Sequence, residues 1–277
     1  MVGLDLPWGE LASFAFAIAG AGVVAGLLAG IFGIGGGAVL VPVFYQVLGL
    51  LGVDESVRMH LSVGSSLAII IPTSIRSFTA HKARGAVDME LLKSFLIPVP
   101  AGVVLASLTA AYISSESLRI IFAVTTLAVA FRLLFNRESW RIGEKIPGNP
   151  ARGIVGLLIG YFSTLMGIGG GVMNNTFMTL YGRSMHQAVG TSSGVGVLIA
   201  IPGTIGYIWA GWGNPLLPIA STGFINWIAV ALIIPIALIV TPYGVRIAHA
   251  LKKRQMEVAF GLFCVFVSAR FFWSLIG

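Results

Sequence analysis

Very little in this sequence is charged, and almost nothing carries a thiol. One cysteine, Cys264, occurs in 277 residues, which excludes an intramolecular disulfide and any cysteine-rich metal or redox motif. Charged residues make up only 10% of the chain, too few to cover a water-soluble domain of this length. The ten acidic residues are Asp5, Glu10, Asp54, Glu55, Asp88, Glu90, Glu116, Glu138, Glu144 and Glu257. All fall in loops or near the ends of apolar segments, which argues against a carboxylate-based sodium site or proton relay within a membrane. No Lys or Arg precedes the first apolar run, where Asp5 and Glu10 stand instead, so that run is expected to be a retained segment rather than a basic-headed secretory signal.

What is present is apolar. Hydrophobic residues are 57% of the chain and the mean hydropathy is +0.95, more apolar surface than one soluble core can bury. Phe14 to Phe32, Leu91 to Ile113, Leu118 to Phe135 and Phe224 to Val240 approach or reach the length that crosses ~30 Å of hydrocarbon as helix. The expected class is an all-α polytopic membrane protein. The net charge of +7 is carried between the apolar runs, where basic residues orient spans, and nucleic acid is not an expected partner. The expected partners are a lipid bilayer and a small anion, with no cofactor or metal; the oligomeric state stays open.

The chain is duplicated. Phe32-Gly33-Ile34-Gly35-Gly36-Gly37 overlays Met166-Gly167-Ile168-Gly169-Gly170-Gly171 without a gap. Met59-His60-x-Ser62-Val63-Gly64-Ser65-Ser66 answers Met185-His186-x-Ala188-Val189-Gly190-Thr191-Ser192, and Ile71-Pro72 answers Ile201-Pro202. Gly85-x-Val87-Asp88 answers Gly223-x-Ile225-Asn226, Ile97-Pro98 answers Ile234-Pro235, and Phe131-Arg132 answers Ala269-Arg270. The halves are residues 1–145 and 146–277.

Charge decides how the halves are oriented. If each glycine run crosses once, the two sides receive ten and seven basic residues. If each run instead turns the chain back toward the side it came from, the second half is inverted and one side receives fourteen. These are Arg76, Lys82, Arg84, Lys93, Arg132, Arg137, Arg141, Lys145, Arg152, Arg183, Arg246, Lys252, Lys253 and Arg254, against Arg58, Arg119 and Arg270 on the other. That asymmetry predicts inverted repeats, each with a glycine-broken first segment followed by three spans, 8 to 10 membrane segments in all, and both termini outside. Gly153 to Met166 and Val172 to Tyr181 would be only ~21 Å and ~15 Å as helix. Arg152 to Gly182 therefore reads as a hairpin dipping in from the cytoplasm, with Phe14 to Gly52 as a longer one from outside.

A break in helical backbone at membrane depth exposes N–H and C=O groups that need partners. A helix restarting after three glycines presents its free N–H groups and a partial positive charge, a setting that attracts anions. Gly35, Gly36 and Gly37 facing Gly169, Gly170 and Gly171 are thus the expected substrate site, helped by the hydroxyls of Ser65, Ser66, Thr191, Ser192 and Ser193 and by Asn174. The same glycines and hydroxyls also suit close helix crossing, since Ala188, Ser192 and Gly196, like Gly190 and Gly194, form small-residue stripes. Neither run is followed by Lys-Ser or Lys-Thr, which sets aside a nucleotide P-loop. His60 and His186, at equivalent positions, are the titratable candidates for a proton role, and Arg76 is a candidate for an inner vestibule; helix-start and interfacial anchoring explain the three as well.

Paired Gly-Ile-Gly-Gly-Gly runs, each followed by a Val-Gly-Ser/Thr-Ser segment, make the chain from Val23 to Arg270 resemble the sulfite exporter TauE/SafE family. The resemblance implies a prokaryotic inner-membrane transporter, not an enzyme, for small sulfur-containing oxyanions or organosulfonates such as sulfite, sulfoacetate or taurine-derived anions. Transport by alternating access around a midmembrane anion is the expected function, and an anion channel with the same selectivity point is the alternative.

Overall fold

The computed structural model describes residues 8–32, 36–135 and 141–276, so Gly33, Ile34 and the expected site residue Gly35 lie outside it. The chain is an all-α polytopic membrane protein. Its helices are α1 (Trp8–Phe32), α2 (Gly37–Leu50), α3 (Glu55–Lys82), α4 (Met89–Ser94), α5 (Pro98–Ala110), α6 (Ser115–Leu134), α7 (Ala151–Leu165), α8 (Gly171–Leu180), α9 (Met185–Ala210), α10 (Trp227–Ala250) and α11 (Lys253–Ile276). A short hairpin of β1 (Ser221–Thr222) and β2 (Ile225–Asn226) precedes α10. Among the described residues, five helices are long and apolar enough to cross a membrane: α3, α6, α9, α10 and the Arg254–Ser274 part of α11. Gly22–Phe32, α2, α5 and α7 are shorter apolar helices.

Local chemistry sets the boundaries. Asp54, Asp88, Ser114, Ser184 and Asn226 each accept a backbone N–H of the helix they precede, opening α3, α4, α6, α9 and α10. The segment Leu91 to Ile113, expected as one span, is divided into α4 and α5. Pro98 and Pro100 supply no N–H, so the ladder lapses over 95–97 and resumes with Val99 N to Phe95 O (3.2 Å) and Ala101 N to Ile97 O (3.0 Å). Its counterpart α10 runs unbroken through Pro235 and Pro242.

The bundle has two ends, fixed by contacts far apart in sequence. At the first, Arg119 pairs with Glu55 (2.8 Å) and donates to Ser274 O (2.9 Å), Tyr45 donates to Glu55 (3.4 Å), and the Phe224 ring lies 4.8 Å from His60. At the second, Ile142 N donates to Leu180 O (3.0 Å), Arg84 to Val245 O (2.9 Å) and Arg254 to Leu133 O (3.0 Å), and Arg183 faces Asp88 (4.0 Å). Helices α3 and α6 therefore run from first end to second, and α9 and α11 run back. Both α7 and α8 open to the second end: Arg152 in the first turn of α7 faces Glu90 (3.9 Å), and Leu180 closes α8 there. Helix α1 follows α10 away from the first end, and α2 returns to it.

Exchanging α1 with α7, α2 with α8, α3 with α9, α5 with α10 and α6 with α11 returns the same set of packed helix pairs. The closest pairs cross between halves: α1 on α10, α7 on α5, α3 on α9 and α6 on α11. Apolar association gives little driving force between helices in lipid, so close backbone approach must provide it. Glycines supply that approach. A Cβ on Gly26 would lie 2.7 Å from Ala237 O, one on Gly30 would strike Thr241 O, and Gly102 and Gly160 lie in the same way against Leu157 O and Val99 O.

Candidate functional site

The next-to-last glycine of each run has left-handed backbone, Gly36 (φ 83°) and Gly170 (φ 75°), and caps the following helix without a side-chain bond. Leu40 N donates to Gly36 O (3.1 Å) and Asn174 N to Gly170 O (2.9 Å). The N–H groups of Gly37 and Ala38, and of Gly171 and Val172, come before these first full turns and point into the breaks. All these residues are buried.

The breaks meet near the middle of α3 and α9. Gly167 O accepts from Ser66 Oγ (2.9 Å) and touches the place a Cβ on Gly37 would take, with Ile168 alongside. Where the two breaks touch, Gly37 lies against Gly167 and Ile168, and Gly167 also against Val41 and Val63, whereas Gly36 faces Ala25, and Gly170 faces Val195 and Ile199. Clefts of about 440 Å³ at the second end, lined by Asp88, Glu90, Arg152 and Arg183, and about 390 Å³ at the first, lined by Glu55, Ser115, Glu116 and Arg119, flank the buried middle.

The expected hydroxyls divide into two groups. Thr191 Oγ1 accepts from Asp88 N (2.8 Å) and donates to Gln187 O (2.8 Å), and Ser65 Oγ accepts from Asn226 N (2.9 Å). Ser193 Oγ donates to Gly190 O (2.6 Å). These three tie backbone together. Ser66 and Ser192 touch the break elements: Ser66 through Gly167 O, and Ser192 through Asn174 Nδ2 (2.7 Å) and Asn175 Oδ1 (2.7 Å) on α8. Asn175 Nδ2 reaches across to Phe32 O (2.9 Å), the last described carbonyl before the first break.

The titratable candidates lie elsewhere. His60 Nε2 holds Ala110 O (3.1 Å) and Ile113 O (2.9 Å) at the end of α5, and His186 Nε2 holds Ala248 O (3.0 Å) at the end of α10. Equivalent histidines thus satisfy terminal carbonyls of equivalent helices. Arg76 is exposed on α3. His81 and His249 join in a bond of 3.3 Å at the second end, with the His186 ring 5.7 Å from His249. Among the described residues no three His, Cys, Asp or Glu groups are arranged to hold a metal.

Two hydroxyls escaped the sequence reading. Ser74 Oγ and Thr204 Oγ1 are buried and have no hydrogen-bond partner among the described residues. They sit at matching positions, Ile71-Pro72-x-Ser74 and Ile201-Pro202-x-Thr204, so the duplication itself carried the signal. A Cβ on Gly196 would lie 2.5 Å from Ser74 Oγ and 2.9 Å from Gly169 O, which brings the Ser74 hydroxyl beside the second break.

The chain is similar in sequence to known membrane proteins. The chain is 32% identical over 251 residues to a "probable membrane transporter protein" of Haemophilus influenzae, covering 91% of this chain and 95% of that protein. It is 25% identical over 239 residues to one from Methanocaldococcus jannaschii (86% and 87% covered) and 22% identical over 253 residues to one from Bacillus subtilis (84% and 87%). No solved structure matches significantly. The family described as sulfite exporter TauE/SafE matches residues 18–271, a stretch that takes in both glycine breaks and nearly every helix; the chain belongs to that family of membrane transporters.

Proposed function

We propose that the chain is a secondary transporter that exports a small sulfur-containing oxyanion or organosulfonate, such as sulfite or sulfoacetate, without chemically converting it. The anion binds at mid-bundle against the glycine breaks, on the first N–H groups of α8 (Gly171 and Val172) and α2 (Gly37), with Ser66, Ser74 and Asn174 nearby. Ser65, Thr191, Ser192 and Ser193 hold the surrounding backbone and side chains in place. One observation carries this reading: α8 begins in the middle of the bundle, buried and without a side-chain cap, with a buried hydroxyl from α3 that has no partner among the described residues beside its break. A helix N-terminus carries roughly half a positive charge, so an anion is held there without a lysine or arginine.

In the same reading residues 1–145 and 146–277 are inverted repeats that rock around the site. The opposite courses of α3 and α9 support this, as does the charge asymmetry of the sequence, where the inverted topology assigns fourteen basic residues to one side. That side is the cytoplasm of a prokaryotic inner membrane, with both chain termini outside. A negative interior assists anion export by roughly 2.3 kcal/mol per charge per 100 mV, so no coupling ion is required.

Purified protein in proteoliposomes tests the reading with a panel of labelled sulfite, sulfoacetate, thiosulfate, sulfate and taurine. Saturable counterflow of a sulfur oxyanion or sulfonate is the expected result. Failure of every compound to move rejects the substrate class, and single-channel currents in a planar bilayer reject alternating access.

A further inference from the structure

The hydrogen bonds around Asn174 have a fixed direction. Phe32 O is a carbonyl and only accepts, so Asn175 must present its Nδ2 to it (2.9 Å) and turn its Oδ1 toward Ser192. Ser192 Oγ then spends its one proton on Asn175 Oδ1 (2.7 Å) and accepts from Asn174 Nδ2 (2.7 Å). Flipping Asn175 would set its Oδ1 against the Phe32 carbonyl, and flipping Asn174 would leave two amide oxygens competing for the one Ser192 proton and would turn an oxygen instead of Nδ2 toward Met178 Sδ (3.4 Å). The relay therefore ends in Asn174 Oδ1, an acceptor that is fully buried and has no partner among the described residues. Asn174 lies in the first turn of α8, and a helical side chain there leans toward the N-terminus, the same end at which the free N–H groups and the Ser74 hydroxyl lie.

Building on the proposed anion site, we propose that it selects an oxyanion carrying a proton donor of its own. The oxyanion oxygens take the N–H groups of Gly171 and Val172 and the Ser74 hydroxyl, and the donor goes to Asn174 Oδ1. Two chemistries meet this description: a hydrogen oxyanion, whose donor is its own O–H, and a sulfonate bearing an ammonium group. A sulfonate with only alkyl groups leaves Asn174 Oδ1 unmet, and so does a fully deprotonated anion, so the inference ranks ionised sulfoacetate below hydrogen sulfite among the proposed substrates.

Competition against labelled sulfite counterflow tests this with one matched pair, 2-aminoethanesulfonate and 1-propanesulfonate, which differ by ammonium against methyl. A second arm compares half-saturation by total sulfite on either side of its second proton dissociation. The expected result is a preference of at least about tenfold, the equivalent of one buried hydrogen bond, for 2-aminoethanesulfonate, for hydrogen sulfite over sulfite dianion, or for both. Preference in the first arm alone identifies the ammonium source, and in the second alone the hydrogen oxyanion. Asn174→Leu should level whichever preference is found, and its melting temperature shows whether it folds. Equal competition by the pair together with pH-independent half-saturation overturns the inference while leaving the anion site standing, and would mean that Asn174 Oδ1 is served by water. Absence of counterflow with every anion overturns both.

Discussion

The backbone N–H of Asp88 donates to the Thr191 hydroxyl across 2.8 Å, joining the start of α4 in the first half to α9 in the second. Its counterpart is Asn226 N to Ser65 Oγ (2.9 Å), joining the start of α10 to α3. Each donor is a helix N-cap, and each acceptor occupies the same place in the repeated Val-Gly-Ser/Thr-Ser segment. These links fasten each broken-helix neighbour to the opposite half. Removing the acceptor leaves a buried amide unmet, at about 1–3 kcal/mol each. Ser65→Ala and Thr191→Val should lower the melting temperature while leaving the half-saturation concentration for sulfite unchanged, and Thr191→Ser should restore stability. A loss of affinity at unchanged stability would return these hydroxyls to the substrate.

Within α1, neighbouring glycines should behave differently. Gly26 faces α10, where a Cβ would lie 2.7 Å from Ala237 O, whereas Gly20 has nothing within 4 Å. Gly26→Ala forces α1 and α10 apart and should cost about 1–3 kcal/mol. Gly20→Ala should be neutral or slightly stabilising, because glycine inside a helix costs roughly 0.5–1 kcal/mol relative to alanine. Thermal unfolding in detergent measures both.

The repeat, the apolar class and the two breaks were legible in sequence because each leaves a local mark: a gapless glycine run, a long apolar stretch, a basic loop. The site hydroxyls were harder to rank. Ser65 and Thr191 look free along the chain, yet the amides that occupy them lie 161 and 103 residues away. The break between α4 and α5 was written in Pro98 and Pro100, but apolar length pointed to a single span. Ser74 and Thr204 were visible as a matched pair after the helix prolines; they were passed over because a hydroxyl in a helix ordinarily donates to its own preceding turn. Only the structure shows that these do not.

One pH effect follows from the α3 cap. The Ser56 hydroxyl (2.5 Å), and then its backbone N–H (2.9 Å), hold the Asp54 carboxyl below the usual carboxylate range. A carboxyl held low in the folded state stabilises above its unfolded pKa, and that stabilisation is lost as pH falls through the folded value. Asp54→Ala should therefore melt below wild type at neutral pH, and the gap should begin to narrow as pH falls past about 3.9, the ordinary aspartate value, and close once pH lies below the lowered folded value. A gap that persists there would assign the cap to something other than the carboxylate.

Single-cysteine labelling with a membrane-impermeant reagent tests the inverted arrangement. Cys264 is buried, so engineered sites report alone. Arg84→Cys and Lys252→Cys should react from the cytoplasmic side and Leu216→Cys from the outer side. Reaction of Arg84→Cys and Leu216→Cys from one side would contradict inversion.

Ser74→Ala tests the site most directly, because the hydroxyl it removes is buried and makes no hydrogen bond among the described residues. Sulfite counterflow and the melting temperature are measured on the same reconstituted preparation. A site built on the α8 break predicts a half-saturation concentration raised by about tenfold at an unchanged melting temperature. Unchanged half-saturation in a variant that melts like wild type would contradict it.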